Sequence, residues 1–454
     1  MSEMNGNPEY ANIHISDLFS DHIYTEYMQS YDEGRDIGGY EALFKEVFNM
    51  PQSKYRDSIS KQLFDMAAQL PQRKDYKYTE PNELPEIKKL RNEMQPCKAM
   101  VPVNYEEKLK GAWYGRIIGC LLGKPVEGIF ADKIRILLDA SDNYPLHRYM
   151  VSTDITKELL KEHSCFGIPT TWADLIKCGP IDDDTNYTVL SQVLISEFGR
   201  DFDSSDVAKV WLGYQPCVSY YTAEKAAYNN LINGFTPPDS AVNLNPFREW
   251  LGAQIRVDYY GYINPGNPEL AAEMAWRDAR VSHVKNGIYG AMFVAAMVAS
   301  AAICNDISEI IDAGLGQIPS TSRLYEAVNK IKDMYAAGMS SEECFEYIHE
   351  TYNEKDKNGY GWCHTLSNAS IITASLLYSE GNAEKAICYA VQAGFDTDCN
   401  GATTGSIMGM RGGNNAFSDE WKAPIAGKLR TSIIGVGDVC LDDLVRRTIE
   451  HLKR

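Results

Sequence analysis

Glycines recur every four residues in two segments of this 454-residue chain, and this spacing restricts its fold more than any other feature. They stand at positions 111, 115, 119 and 123 in GAWYGRIIGCLLGK, and at 401, 405, 409 and 413 in GATTGSIMGMRGG. Such spacing puts each set on one face of a helix. A glycine inside a helix costs about 0.5 to 1 kcal/mol relative to alanine, so four per helix indicate a compensating close approach of backbones. Bulky residues such as Ile117 and Leu121 between the glycines argue against flexible loops. We therefore predict two central, tightly packed helices.

The rest of the chain beyond residue 100 has helical apolar spacing and few alternating strand patterns. Helices are predicted over residues 105–123, 184–198, 269–281, 288–304, 322–337, 341–352, 365–379, 383–393, 402–411 and 439–453. The main domain is therefore predicted to be all-α.

The first 100 residues have a different pattern. Residues 1 to about 70 have helical apolar spacing, as in Tyr40, Leu43, Phe44, Val47 and Phe48. Prolines then interrupt a charged segment at positions 71, 81, 85, 96 and 102. We predict a small helical appendage with its linker over residues 1–100 and the main domain over residues 101–454.

Charge and cysteine usage exclude several classes of protein. The formal charge of −18 repels nucleic acid and anionic lipid. The eleven cysteines include no CxxC pair, which argues against a disulfide framework or a zinc ribbon. The acidic N-terminus does not resemble a secretory signal, and the uncharged run Ile288–Cys304 is too short to span a membrane. We expect a cytoplasmic protein that binds neither nucleic acid nor membrane.

Three consecutive aspartates, Asp182, Asp183 and Asp184, precede an apolar helix in GPIDDDTNYTVLSQVLISEF. Helix capping explains one of them, and the helix dipole a second. A third adds like-charge repulsion without a local benefit, so we favour a metal site over capping alone.

Carboxylates also flank both glycine helices. Glu127 follows the first helix, and Asp396 and Asp398 precede the second, so the three converge if the helices meet. The alternative for Asp396 and Asp398 is a solvated turn, but the apolar segment before them favours a position beside the core. Six gathered carboxylates cannot all stay ionised without cations, and two divalent ions would supply four positive charges. Oxygen ligands favour magnesium, with manganese as the second choice, over zinc.

Three segments in order, GAWYGRIIGCLLGKPVEG, GPIDDDTNYTVL and GFDTDCNGATTGSIMGMRGG, resemble the signature segments of the ADP-ribosylglycohydrolase family. With NPGNPELAAEMAWRDARVSHVKNGIYGAMFVAA, the resemblance extends over roughly residues 105–450. It implies an orthogonal helical bundle that holds two metal ions, usually magnesium, against the ribose of the substrate. It also implies that the metal ligands are Asp183, Asp184, Asp396 and Asp398. Thr185 matches the family's threonine at the end of the first motif. Glu127 matches the family's glutamate beside the ribose, and by analogy we assign it general acid/base work, with Asp184 and Asp398 as its catalytic partners.

Two positions depart from the family pattern. Asp182 stands where the family usually has threonine; it still offers an oxygen ligand but adds negative charge. Cys399 stands where the family has a hydroxyl, and a thiol is a poorer ligand for magnesium. We count both as candidate ligands. The alternatives for Cys399 are replacement by water, a shift toward manganese, or a buried small residue.

The implied reaction is hydrolysis of the glycosidic bond in an ADP-ribosylated, or related ribosylated, substrate. The alternatives are a glycosidase of the same fold that acts on a different N- or O-ribosyl compound, and a non-catalytic ADP-ribose-binding protein. Further substrate-contact candidates are His283, Asn286, Trp362, His364 and Arg256. Their alternatives are core positions and, for Arg256, an exposed ion pair. The sequence leaves the oligomeric state open.

Overall fold

A computed structural model of the chain describes residues 19–92, 100–154, 156, 159, 171–353 and 360–452. Regular structure in these ranges is almost entirely helical, so the predicted all-α fold is confirmed. Two short antiparallel strands, β1 (Lys428–Arg430) and β2 (Asp438–Cys440), pair with Leu429 opposite Val439. The predicted helical spacing of residues 1–18 and the linker proline at 96 lie outside the described residues.

The helices are numbered in chain order. The first part contains α1 (Ile23–Asp32), α2 (Glu41–Phe48), α3 (Lys54–Gln69) and α4 (Leu84–Lys89). The next helices are α5 (Tyr105–Gly123), α6 (Ala131–Ala140), α7 (Asp183–Phe198), α8 (Ser204–Tyr214), α9 (Thr222–Ile232), α10 (Asp258–Tyr262) and α11 (Pro268–Ala279). The remaining helices are α12 (Lys285–Ala301), α13 (Ile307–Leu315), α14 (Arg323–Ala336), α15 (Ser341–Tyr352), α16 (Tyr360–Cys363), α17 (Thr365–Tyr378), α18 (Ala383–Gln392), α19 (Thr397–Gly412), α20 (Asp419–Lys422) and α21 (Leu441–His451).

All ten predicted helices of the main domain are present, most with boundaries shifted by a few residues. The largest shift is at α19, which begins at Thr397 rather than at residue 402. Asp396 is the N-cap residue of α19, and Asp398 lies in its first turn. The expectation that both aspartates precede the helix is therefore wrong for Asp398. The sequence analysis also missed several shorter helices, among them α6, α8, α9, α10 and α13.

The two glycine helices, α5 and α19, pack against each other in antiparallel orientation, as the spacing predicted. A Cβ atom added to Gly115 would overlap the carbonyl oxygen of Gly405, and one added to Gly405 would overlap that of Gly115. Gly119 and Gly401 form the same reciprocal contact one turn further along. Only glycine allows backbones to approach this closely. The antiparallel orientation brings the C-terminal end of α5 to the N-terminal end of α19.

Two separate apolar clusters lie beneath the helices. The larger one occupies the main domain and includes α12, from which every side chain except that of Lys285 is buried. The smaller one lies within the first 70 residues and consists of Ile23, Tyr27, Ile37, Phe44, Val47, Leu63, Phe64 and Ala67. The division near residue 100 stays a prediction, because Ile87, which precedes that boundary, belongs to the larger cluster. None of the helices in the described ranges is long and apolar enough to cross a membrane.

Candidate metal centre

The candidate centre lies where the end of α5 meets the beginnings of α7 and α19. Gly123, the last residue of α5, packs against the backbone of Thr397, and the Thr397 hydroxyl donates a hydrogen bond of 2.9 Å to the Gly123 carbonyl. Three groups of metal-ligating side chains gather here, each with its ligand atoms within 4.8 Å of one another. They are Cys120/Asp182/Asp184, Asp184/Asp398/Cys399 and Glu127/Asp396/Asp398. The structure thus brings together the carboxylates that the sequence placed in three separate segments.

Helix capping accounts for one of the three consecutive aspartates. Asp182 is the N-cap residue of α7, and its Oδ1 accepts a hydrogen bond of 2.9 Å from the backbone N–H of Asp184. Asp183 and Asp184 lie within the first turn, where Asp184 is fully buried. A buried carboxylate requires compensation that a cap does not provide. Capping alone is therefore an insufficient explanation for Asp184.

A buried arginine holds Asp184 in place. Arg116 on α5 donates from Nε to the Asp184 carbonyl at 2.6 Å, and its Nη2 lies 3.3 Å from Asp184 Oδ1. The Nη1 of Arg116 pairs with Asp258 Oδ2 at 3.0 Å. Among the described residues, the second oxygen of Asp184, Oδ2, has no hydrogen-bond partner. One oxygen is thus fixed while the other remains available to a ligand.

Asp396 has a similar arrangement. The Cys363 thiol donates to Asp396 Oδ2 at 3.0 Å, and the Asp396 backbone N–H donates to Asn368 Oδ1 at 3.2 Å. In the part of the chain that the structure describes, Asp396 Oδ1 has no hydrogen-bond partner. Buried polar atoms are seldom left in this state, because each costs about 1–3 kcal/mol. The unpartnered oxygens of Asp184 and Asp396 fit the ligand preference of a hard divalent cation.

Lys124 lies at the centre of the cluster, and the sequence analysis did not identify it. Its Nζ is 2.6 Å from Glu127 Oε2, 2.9 Å from Asp182 Oδ2 and 3.1 Å from Asp398 Oδ2. The available signal was its position in GKPVEG, directly after the last glycine of α5 and three residues before Glu127. A lysine at a helix end is more often solvated, so the sequence alone gave no reason to place it here.

The electrostatics of the cluster reflect an excess of negative charge. Burial, reinforced by neighbouring carboxylates, raises the pKa values of Glu127, Asp184 and Asp396 well above their usual range and that of Asp183 to about 8. Burial alone would raise the pKa of Asp398, but the charge of the Lys124 ammonium outweighs burial and lowers this pKa. One lysine is therefore too little charge to keep every carboxylate ionised.

Two thiols also border the carboxylates. Cys399 lies beside Asp184 and Asp398, as its position directly after Asp398 suggested. Burial raises the pKa of its thiol. Cys120, on the glycine helix α5, lies beside Asp182 and Asp184. The sequence analysis missed Cys120 because it is one of several small or apolar residues within a buried helix.

Of the five predicted substrate-contact residues, Trp362 lies next to the cluster. Its indole N–H donates to the carbonyl of Phe395 at 2.6 Å, immediately before Asp396, and its side chain is half-buried. The role of Trp362 in substrate binding stays a prediction.

The other four predicted substrate-contact residues are buried and make polar contacts elsewhere. Arg256 pairs with Glu224 and Asp278, so these ion pairs are buried rather than exposed as the alternative supposed. His283 Nδ1 lies 2.8 Å from Ser282 Oγ. Asn286 donates hydrogen bonds of 2.8 Å to Glu80 and Glu249. The Leu366 N–H donates a hydrogen bond of 3.2 Å to His364 Nδ1. These contacts explain the four residues structurally, and their roles in substrate binding stay predictions.

One known protein family and two known proteins resemble this chain. The profile of the family described as ADP-ribosylglycohydrolase matches residues 102–452. A protein of Archaeoglobus fulgidus described as uncharacterized is 23% identical over 319 residues, which cover 70% of this chain and 90% of the relative. A solved structure titled "ADP-ribosylglycohydrolase-related protein complex" is 15% identical with a TM-score of 0.44, and the similarity covers 77% of this chain and 98% of that one. Because the family profile spans most of the sequence, the chain belongs to the ADP-ribosylglycohydrolase family.

Proposed function

We propose that the protein is a metal-dependent hydrolase that cleaves the glycosidic bond of an ADP-ribosylated, or related ribosylated, substrate. Its family supports a glycoside hydrolase. The observation that carries the proposal is the convergence of carboxylates from the segment after α5 and from the beginnings of α7 and α19, with unpartnered oxygens on Asp184 and Asp396. Such a cluster is costly to fold unless it binds cations.

The proposed ligands of two divalent ions are the carboxylates of Asp183, Asp184, Asp396 and Asp398. Magnesium suits this oxygen set best, and the thiol of Cys399 beside Asp184 makes manganese the second candidate. When bound, such ions orient ribose hydroxyls and favour ionisation of a water molecule. The protein contributes the fixed geometry: Arg116 holds Asp184, and Cys363 and Asn368 hold Asp396.

Glu127 is the proposed proton-handling group. Its side chain is 31% exposed, whereas that of Asp398 is 2% exposed, so Glu127 lies on the solvent side of the cluster. It belongs to the same ligand group as Asp396 and Asp398, within reach of a substrate held there. In this position its carboxylate accepts a proton from attacking water or donates one to the leaving group.

Trp362 is the proposed wall of the substrate site. Its half-buried indole lies beside the carboxylate cluster, with the N–H held by the Phe395 carbonyl. A fixed aromatic face at this point suits stacking against the base or the sugar of a nucleotide.

The test is release of ADP-ribose from a panel of ADP-ribosylated arginine, ADP-ribosylated serine and nucleotide substrates, with magnesium or manganese present. Glu127→Gln should lose most of the activity, whereas Glu107→Gln, at the exposed far end of α5, should retain it. Full activity in excess chelator would contradict the metal-dependent mechanism. Binding of ADP-ribose without turnover would favour a binding protein, and absence of both would favour a different ribosyl compound.

A further inference from the structure

We propose that Lys124 is an internal cation that competes with one of two divalent metal ions for the same carboxylate oxygens. The inference rests on the metal centre of the proposed function and adds a regulatory element to it. Lys124 would lower the affinity for the second ion, so that the centre loads fully only when divalent metal is plentiful.

The Lys124 ammonium contacts all three elements that build the centre. Its partners are Glu127 after the end of α5, Asp182 at the N-cap of α7 and Asp398 in the first turn of α19, at 2.6, 2.9 and 3.1 Å. Lys124 therefore lies within the cluster and not at its margin. The contacts with Glu127 and Asp398 are hydrogen bonds, and the contact with Asp182 is an ion pair.

The contested position is the one formed by Glu127, Asp396 and Asp398. Lys124 pairs with two of its three carboxylates, but with only Asp398 in the group that includes Asp184 and Cys399. Magnesium binds its oxygen ligands at about 2.0–2.1 Å. An ammonium group bound to the same oxygens leaves no room for such an approach. An ammonium group and a divalent ion that share these oxygens also repel each other strongly in a buried site.

The backbone of Lys124 is fixed, but its side chain can move. Gly123 before it packs against Thr397, and Pro125 after it restricts the chain. The Lys124 side chain is 16% exposed, so its flexible stem can swing the ammonium toward solvent. Loading of the contested position then displaces the ammonium from Glu127 and Asp398. Lys124 thereby competes with the second ion for the carboxylate that is also the proposed acid/base group.

The experiment measures metal affinity and not activity. Manganese chloride is titrated into chelator-stripped protein by calorimetry, and bound ions are counted by electron paramagnetic resonance. In the wild type, the second ion should bind at least about tenfold more weakly than the first. Lys124→Met removes the charge at similar length, and the second ion should then bind at least about tenfold more tightly than in the wild type.

The matched control is Lys108→Met. Lys108 lies at the other end of α5 and also contacts α19, through the carbonyls of Met410 and Arg411 at 3.2 and 2.9 Å. Its removal should leave both metal affinities unchanged. If Lys124→Met does not fold, Lys124→Gln, which keeps a donor without the charge, serves the same comparison.

The outcomes separate this inference from the proposed function. Equal affinity for the second ion in the wild type and in the Lys124 variant would overturn the competition but leave the metal centre intact. If Lys108→Met raised the affinity for the second ion as much as Lys124→Met, the competition by Lys124 would also be overturned. Failure of either protein to bind any divalent ion would overturn the metal centre itself.

Discussion

Two buried clusters of charged residues in this protein differ in how far cations balance their carboxylates. The metal-centre cluster gathers five carboxylates around two cations, Lys124 and Arg116. The second, here called the junction cluster, joins residues within the first 80 to residues beyond 247 and gathers four carboxylates around three cations. Its members are Glu26, Glu33, Glu80, Glu249, Arg248, Arg323 and Lys285. The difference indicates which cluster is complete without a ligand.

The junction cluster balances most of its carboxylates with well-formed ion pairs. Arg248 contacts Glu26 and Glu33 at 2.6 Å, and Arg323 contacts both oxygens of Glu249 at 2.7 and 2.8 Å. Burial opposes ionisation of Glu249, yet the charge of Arg323 outweighs it and lowers the pKa of this carboxyl group. In the metal-centre cluster, the pKa values of Asp184 and Asp396 move upward instead. Arginine pairing characterises the junction cluster, whereas carboxylate oxygens without partners and raised pKa values indicate a binding site at the metal-centre cluster.

The largest expected effect is on the metal-centre cluster. Asp398→Asn removes a carboxylate that belongs to two of the three ligand groups. Metal-dependent hydrolysis should fall at least about 1000-fold, because both proposed ion positions lose a charged ligand. Activity is measured on whichever substrate the wild type turns over, and circular dichroism checks the fold. Activity within about tenfold of the wild type would remove Asp398 from the proposed ligand set.

Breaking the junction cluster should change stability and not metal binding. Arg248→Met leaves Glu26 and Glu33 buried without their main cation, and should lower the free energy of unfolding by about 3 kcal/mol. Urea denaturation measures the change. The control is Arg280→Met, which breaks a pair with the half-exposed Glu83 and should cost less than about 1 kcal/mol. Similar losses in both variants would refute the view that burial distinguishes these pairs.

A smaller effect concerns the pH dependence of stability near the junction cluster. His364 caps α17 with an unprotonated Nδ1, and burial lowers the pKa of its imidazole to about 4. The unfolded chain takes up this proton near its ordinary pKa of 6.5, while the folded protein does not. Stability from His364 is therefore present above pH 6.5 and is lost as the pH falls toward 4.

The expected loss from His364 between about pH 7.5 and about pH 5 is about 2 kcal/mol. The His364→Asn variant keeps a capping side chain that does not titrate. Its free energy of unfolding should therefore fall by about 2 kcal/mol less than that of the wild type over the same pH interval. Urea denaturation of both proteins at the two pH values gives the difference. Identical pH dependence would mean that the imidazole is protonated in the folded state.

The sequence predicted those features that depend on local spacing. Glycine intervals predicted the close contact of α5 with α19 and, from that contact, the convergence of Glu127, Asp396 and Asp398. What it could not predict were charged residues whose partners lie far along the chain. Lys124 joins residues 182 and 398, and Arg248 joins residues 26 and 33. A charged residue on an amphipathic segment is normally assigned to solvent, and only tertiary packing reveals its burial.

The smallest expected effect distinguishes the two clusters directly. A divalent ion present at about ten times its dissociation constant should raise the free energy of unfolding by about 1.4 kcal/mol, because it binds the folded state alone. Arg248→Met should keep this increment in full although it starts from a lower stability, since its cluster contributes no proposed ligand. Asp398→Asn should lose most of it. Loss of the increment in Arg248→Met would mean that the appendage holds the metal centre together, and the two clusters would then act as one.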